Sequence, residues 1–184
     1  MSLIMKALIP AAIIACMGCL ANAATLQADK ERGRIQVDVK ATGHNFTGNL
    51  EKYSITASGD PAALKPAGLE LSRDSNNFKT GDDKRDKEMI KWLGGGNPKG
   101  SFKFGKSWGE TAAGGKAEGT LTIHGVSKTV SFPYTLKKEG DWLTIDGKVT
   151  FDHQDFKLPI IRSMAVLTVD PKLVVRFHVV GQVK

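Results

Sequence analysis

Residues 119–136 read GTLTIHGVSKTVSFPYTL, a run in which apolar and polar side chains alternate on both sides of the pair His124-Gly125. A period of two is typical of a pleated strand with one buried and one solvated face, and a Gly-containing pair between two such runs favours a tight turn. The stretch therefore predicts an antiparallel hairpin. Pro133 interrupts the second run and indicates an edge or a bulge there.

The same alternation recurs on both sides of this hairpin. It places apolar residues on one face of further segments, which contain Ile35, Val37 and Val39; Leu69 and Leu71; Phe102 and Phe104; Leu143, Ile145, Val149 and Phe151; and Val175, Phe177, Val179 and Val183. Turn-forming residues lie between them, as in Gly114-Gly115 and Glu139-Gly140-Asp141. Short alternating strands without repeated helices predict an all-β antiparallel sandwich or barrel.

One helix interrupts the strands. Asp82 or Asp83 can cap its start, Met89, Ile90 and Leu93 give it an apolar stripe, and Gly94-Gly95-Gly96 with Pro98 ends it.

The polar faces of the strands carry ionised side chains, which excludes an outer-membrane type of barrel. In such barrels the outward face is apolar, and a charge at mid-membrane depth costs a few kcal/mol. The charges must therefore face water and the apolar faces must line the interior. A small barrel either fills its interior with side chains or keeps a cavity for one apolar ligand, and the alternation leaves both alternatives open.

The first residues predict a secretory signal peptide. Lys6 precedes an apolar run that is too short to span a bilayer, and Ala21-Asn22-Ala23 forms a small-x-small cleavage site. We expect cleavage after Ala23 and export to the periplasm, leaving residues 24–184 as one domain. A lipid anchor on Cys16 is the alternative. Cleavage removes Cys16 and Cys19, the 2 cysteines of the chain, which excludes disulfides, thiolate metal sites and cysteine nucleophiles.

Charge and length point to one ordinary soluble domain. The 184 residues include 26 Lys and Arg against 19 Asp and Glu, a net charge of +7. The charges are spread singly along the chain, as on solvated strand faces, so we expect no nucleic-acid partner and no stable membrane span.

Several of these motifs together resemble the YceI-like family of bacterial periplasmic proteins. The resemblance is strongest in residues 119–136 and extends to Thr42-Gly43-His44, Lys84-Arg85-Asp86 and Phe102-Lys103-Phe104, whereas residues 50–66 match no motif. It implies a lipocalin-like β-barrel of about eight strands with one short helix packed at its side. It also implies an apolar tunnel for a polyisoprenoid, quinone-like or fatty-acyl molecule.

The candidate ligand-binding residues follow from the alternation and the resemblance. We expect an apolar pocket of roughly 300–1,000 Å³. Its wall is expected to be formed by Phe102, Phe104, Leu121, Ile123, Phe132, Tyr134, Val149, Phe151 and Phe177. His44 and Arg85 are expected near one opening, where they would hold a polar headgroup. The simpler interpretation is that His44 makes a structural hydrogen bond, Arg85 ties a loop to a strand and Asp86 complements the helix dipole.

No catalytic signature accompanies these residues. The chain has no nucleophile elbow, no phosphate-binding glycine loop and no local zinc-type spacing among His44, His124, His153 and His178, so we expect no enzyme, metal or cofactor. Two hypotheses follow: a periplasmic carrier of an apolar molecule, or a filled-core structural or stress-response protein that acts through its surface. An undetected isoprenoid or quinone enzyme is held in reserve, and the sequence leaves room for a homodimer.

Overall fold

The computed structural model describes residues 24–60, 65–74, 77–95, 99–163 and 167–184. The predicted signal peptide and the helix-ending Gly96 and Pro98 lie outside the described residues. Twelve strands and one α-helix form the described fold: β1 Ala24–Val39, β2 Phe46–Leu50, β3 Tyr53–Asp60, β4 Lys65–Asp74, β5 Phe78–Lys79, α1 Asp83–Trp92, β6 Lys99–Thr111, β7 Gly114–Ile123, β8 Val126–Glu139, β9 Trp142–Asp152, β10 Arg162–Ser163, β11 Leu167–Thr168 and β12 Lys172–Val183.

Eight of these strands form an antiparallel ring. The order is β1-β3-β4-β6-β7-β8-β9-β12, and β12 pairs again with β1 through Leu26↔Val183 to Asp38↔Val174. Strand β1 serves two neighbours on its other edge, because its first residues pair with β3 and its last residues pair with β2. The prediction of an antiparallel barrel of about eight strands is confirmed, and the additional strands β2, β5, β10 and β11 are short.

The hairpin that the sequence predicted is formed by β7 and β8. Ile123 pairs with Val126, and the two turn residues His124 and Gly125 both have positive φ, 51° and 73°. This is the conformation of the two-residue hairpin turns whose twist matches that of the flanking strands. Pro133 pairs with β7, whereas β8 pairs with β9 only from Tyr134 onward. Pro133 therefore lies just before the part of β8 that is hydrogen-bonded to β9.

Helix α1 begins and ends close to the predicted positions. The Asp82 carboxylate accepts hydrogen bonds from the backbone N–H groups of Lys84 and Arg85, at 2.9 and 3.1 Å. These bonds hold the pKa of Asp82 below its ordinary value. No helix in the described ranges is long and apolar enough to cross a membrane.

The helix packs at one end of the barrel, which we call the helix end. The start of β6, which follows the helix, lies opposite the end of β7, so the β7–β8 turn is at this end. The β1–β2 loop and the segment after β9 are at the same end, because β9 ends opposite the first residue of β12. The His124 ring and the carbonyl of Leu93 are hydrogen-bonded at 2.9 Å, and the Trp92 indole N–H donates to the carbonyl of Pro159 at 2.8 Å. The last turn of α1 is therefore fixed to two loops.

Buried side chains form four clusters. Their central members are Leu93, Ile123, Phe156 and Leu158; Leu26, Ala57 and Val179; Ile35, Leu50 and Tyr53; and Ala117, Tyr134 and Leu136. Three of the four are joined through half-buried side chains such as Ile55, Phe177 and Ile145. Most of the central members line the interior of the barrel.

Candidate functional site

A cavity of about 1560 Å³ occupies the interior of the barrel and continues outward along exposed residues of α1 such as Lys84 and Lys91. This is larger than the roughly 300–1,000 Å³ that is typical of small-molecule sites, so the sequence expectation of that range was too small. All nine residues that the alternation assigned to the wall lie on it: Phe102, Phe104, Leu121, Ile123, Phe132, Tyr134, Val149, Phe151 and Phe177. Their contact with a ligand stays a prediction. A cavity of this size favours a hollow barrel over one filled with side chains.

Three phenylalanines form an aromatic row across adjacent parts of the wall. The ring centroids of Phe102 and Phe132 are 5.6 Å apart, and those of Phe132 and Phe177 are 5.4 Å apart in an edge-to-face arrangement. Both separations fall in the range that aromatic pairs prefer. The row gives the wall a smooth, rigid and apolar surface.

Two glycines hold the ends of this row against the wall. A Cβ added at Gly147 would lie 2.4 Å from Cζ of Phe177, and one added at Gly119 would lie 2.4 Å from Cζ of Phe102. Each ring therefore occupies the space that a side chain on the neighbouring strand would need. A side chain at Gly147 would push the Phe177 ring into the interior. A side chain at Gly119 would also lie 2.5 Å from the backbone carbonyl oxygen of Lys103, so both positions need glycine for the rings to lie against the wall.

His44 and Arg85 lie at the same end of the cavity. Both line it, and both contact the ring of Phe46: Cζ of Arg85 lies 4.3 Å from the ring centroid, and the centroid of His44 lies 6.4 Å from it. His44 is exposed to solvent, so the cavity reaches the surface here. The structure thus brings together the two residues that the sequence placed at an opening.

Arg85 and Asp86 also have structural roles. The Arg85 guanidinium donates to the hydroxyl and to the carbonyl of Thr80, at 2.8 and 2.9 Å. The Asp86 carboxylate, which is only 6% exposed, accepts from the hydroxyl and the backbone N–H of Thr80, at 2.6 and 2.9 Å. These bonds tie the start of α1 to the segment that follows β5. Two donors of Arg85 are therefore already committed, which leaves it less capacity for a headgroup.

Tyr134 places a polar atom in the wall at the opposite end of the cavity. Burial raises the pKa of its hydroxyl above the ordinary value. The nearby Ser107 offsets part of this rise, but no well-formed hydrogen bond reaches the hydroxyl from the described residues. A buried hydroxyl without a partner destabilises the fold, and it gives this end of the cavity a potential polar contact.

The other histidines lie apart from His44. The His178 ring and the Asp146 carboxylate are hydrogen-bonded at 2.6 Å on the outer face, and His124 is held at the carbonyl of Leu93. His153 is fully buried. Within the described ranges, no three His, Cys, Asp or Glu side chains are grouped to hold a metal ion.

The sequence of the chain matches the model of the YceI-like domain over residues 26–181. The chain belongs to the YceI-like family. No protein of curated function matches the sequence significantly.

Solved structures show the same YceI-like fold at low sequence identity. BcnA of Burkholderia cenocepacia is 20% identical with a TM-score of 0.72, over 85% of this chain and 100% of that one. A polyisoprenoid-binding domain from Saccharophagus degradans is 16% identical with a TM-score of 0.65, over 88% and 99%. The YCEI protein of Campylobacter jejuni is 22% identical with a TM-score of 0.62, over 77% and 86%. At these identities the likeness shows the fold alone.

Sequence reasoning missed part of the wall. The additional lining side chains include Phe46, Leu50, Ile55, Phe78, Met89 and Trp92. Phe46 and Phe78 belong to the strands β2 and β5, which are too short for alternation to be recognised. The Phe78 ring lies against Gly48, where a Cβ would clash with it. Met89 was assigned to the apolar stripe of the helix, but nothing in the sequence indicated that the helix lines the cavity.

Proposed function

We propose that this YceI-like protein binds one long apolar molecule inside its barrel and carries it through the periplasm. The cavity of about 1560 Å³ with its row of phenylalanines is the observation that supports this proposal most directly. A structural relative is a polyisoprenoid-binding domain. The ligand class is therefore a polyisoprenoid, with a quinone-like or fatty-acyl lipid as the alternatives.

Burial of the ligand supplies the binding energy. Each methylene taken out of water contributes about 0.8 kcal/mol, so ten of them would contribute about 8 kcal/mol before the cost of association. An exposed ion pair to a headgroup adds only about 0–1 kcal/mol. Binding should therefore depend on the wall far more than on the net charge of +7.

The carrier is proposed to be non-catalytic and exported. Residues 24–184 would form the single binding domain, after removal of residues 1–23 as a signal peptide. Retention through a lipid on Cys16 and association as a homodimer stay predictions.

Organic extraction of the protein purified from its native periplasm, followed by mass spectrometry, tests this function. The expected result is one lipid class in roughly stoichiometric amount, together with a higher melting temperature when the same lipid is added back. Phe132→Asp, purified in parallel as a folded protein, should carry none. Lipid recovered equally from both proteins, or from neither, would contradict a role for the cavity.

A further inference from the structure

His153 is a fully buried histidine whose ring has no hydrogen-bond partner among the described residues. It begins the short 3-10 turn His153–Phe156 that follows β9, and its side chain is 0% exposed. Its backbone N–H donates to the carbonyl of Pro171 at 2.9 Å. Neither ring nitrogen is within hydrogen-bonding geometry of any atom in the described part of the chain.

This arrangement destabilises the protein by itself. A neutral imidazole has one donor and one acceptor nitrogen, and each buried polar group without a partner costs free energy. A phenylalanine would fill nearly the same space without that cost. The two other histidines with ring hydrogen bonds, His124 and His178, show that such partners are available elsewhere in this fold.

The imidazole borders the cavity at the helix end. Its side chain is part of the lining, and the Trp92 ring packs edge to face against it with centroids 5.0 Å apart. Trp92 is only half-buried and belongs to the last turn of α1. Its indole N–H is held at the carbonyl of Pro159, at 2.8 Å, so the Trp92 ring must tilt about this hydrogen bond or release it to admit a small group to the imidazole.

The apolar surroundings of His153 favour a neutral ligand group over a charged one. The adjacent cluster contains Leu93, Ile123, Phe156 and Leu158, all apolar. A buried anion needs a paired cation, and no cationic side chain of the described residues is hydrogen-bonded or ion-paired to His153. A neutral hydroxyl suits the site, because it can donate to one ring nitrogen or accept from the other.

We propose that His153 is a polar subsite that binds the terminal hydroxyl of the apolar ligand. The inference rests on the proposed function, since it assigns the polar end of the molecule that the cavity holds. It assigns the headgroup contact to the imidazole that packs against Trp92 instead of to Arg85, two of whose five N–H donors are already bonded to Thr80.

Competition against the fluorescent polyene cis-parinaric acid tests this subsite with three probes that share one C20 isoprenoid chain. The probes are geranylgeraniol, the hydrocarbon with a methyl group in place of the CH₂OH group, and geranylgeranyl monophosphate. The variants are His153→Phe, His153→Gln and, as a matched control outside the cavity, His178→Gln. Melting temperatures are measured for each protein without probe.

The wild-type protein and His178→Gln are expected to prefer the alcohol to the hydrocarbon by roughly 3- to 10-fold. His153→Phe should lose that preference while binding the hydrocarbon normally, and its melting temperature should rise by a few degrees because unpaired polar atoms are removed. His153→Gln, which keeps a donor and an acceptor, should retain part of the preference.

Three results would overturn the subsite. An alcohol preference that survives in His153→Phe would leave binding in the cavity intact but assign the polar contact to another residue. Tighter binding of the monophosphate by all variants would place recognition at the cationic side chains of the helix end. Failure of every probe to bind the wild-type protein would contradict the proposed function as well as the subsite.

Discussion

The pairing of Gly147 with the ring of Phe177 predicts that a single methyl group can narrow the cavity. In Gly147→Ala the new Cβ would lie 2.4 Å from Cζ of Phe177, against an ordinary contact of 3.4–4 Å. The ring must therefore withdraw by about 1 Å or rotate. The three atoms nearest to the new Cβ all belong to the Phe177 ring, so the ring can move into the cavity while the strand stays in place.

Gly147→Ala should reduce the binding free energy of the ligand more than it reduces the free energy of unfolding. Because the ring enters open space, the free energy of unfolding should fall by only about 1 kcal/mol, the low end for overpacking. If the displaced ring denies contact to two methylenes of the ligand, the loss is about 1.6 kcal/mol, or about 15-fold in affinity.

Titration with cis-parinaric acid measures this loss, with chemical denaturation as the measure of folding. Lys148→Ala is the matched control, since Lys148 is the next residue of β9 and is exposed. The double variant Gly147→Ala/Phe177→Leu should recover most of the affinity, because leucine lacks the outer ring atoms. Wild-type affinity in a correctly folded Gly147→Ala protein would refute the reasoning that glycine sets the width of the cavity.

Further predictions concern other parts of the barrel. Phe132→Asp should abolish binding of the same probe because it places a charge in the middle of the aromatic row. Arg85→Gln should weaken binding only a few-fold, and higher salt should change the affinity little. Strong salt dependence together with an intact affinity of Phe132→Asp would show that the ligand binds to the surface. Tyr134→Phe should raise the melting temperature by a few degrees, and a decrease would show that the hydroxyl has a stabilising partner. The hydrogen bonds from Arg176 hold the pKa of Asp38 below its ordinary value, so this pair should stabilise the fold above the ordinary carboxylate pKa of about 4 and lose that contribution as pH falls through the lower folded-state pKa. Both side chains are substantially exposed, so denaturation of Asp38→Asn at pH 7 should show a loss of less than about 1 kcal/mol, and an unchanged acid limb would contradict the assignment.

The wall of the cavity could be predicted because side chains of a strand alternate whatever the strand packs against. Phe102 and Phe104, or Val149 and Phe151, must share a face once their segments are strands, and the charged opposite face indicates which face is buried. The hairpin turn at His124-Gly125 could be recognised from local chemistry in the same way.

The hollow interior could not be predicted, because it depends on distances between strands that are remote in sequence. Gly147 faces Phe177 only after β9 pairs with β12, and neither residue indicates the other in the sequence. His153 shows the same limit. The side chain of the preceding residue, Asp152, caps the short turn locally by accepting from the backbone N–H of Gln154 at 2.8 Å. His153 itself packs against Trp92, which belongs to the distant helix.

The double role of β1 has a consequence for the order in which the chain can fold. Its pairing with β12 joins residues 24–39 to residues 172–183, so one long edge of this strand has no partner until nearly the whole chain has emerged from the ribosome. Contacts between such distant segments form slowly, since a large loop must close before they can form. Until then β1 exposes a row of unpaired backbone N–H and C=O groups along one edge, and such an edge can pair with strands of other chains. Refolding should therefore be slow and sensitive to protein concentration, and a chaperone that covers β1 should accelerate it.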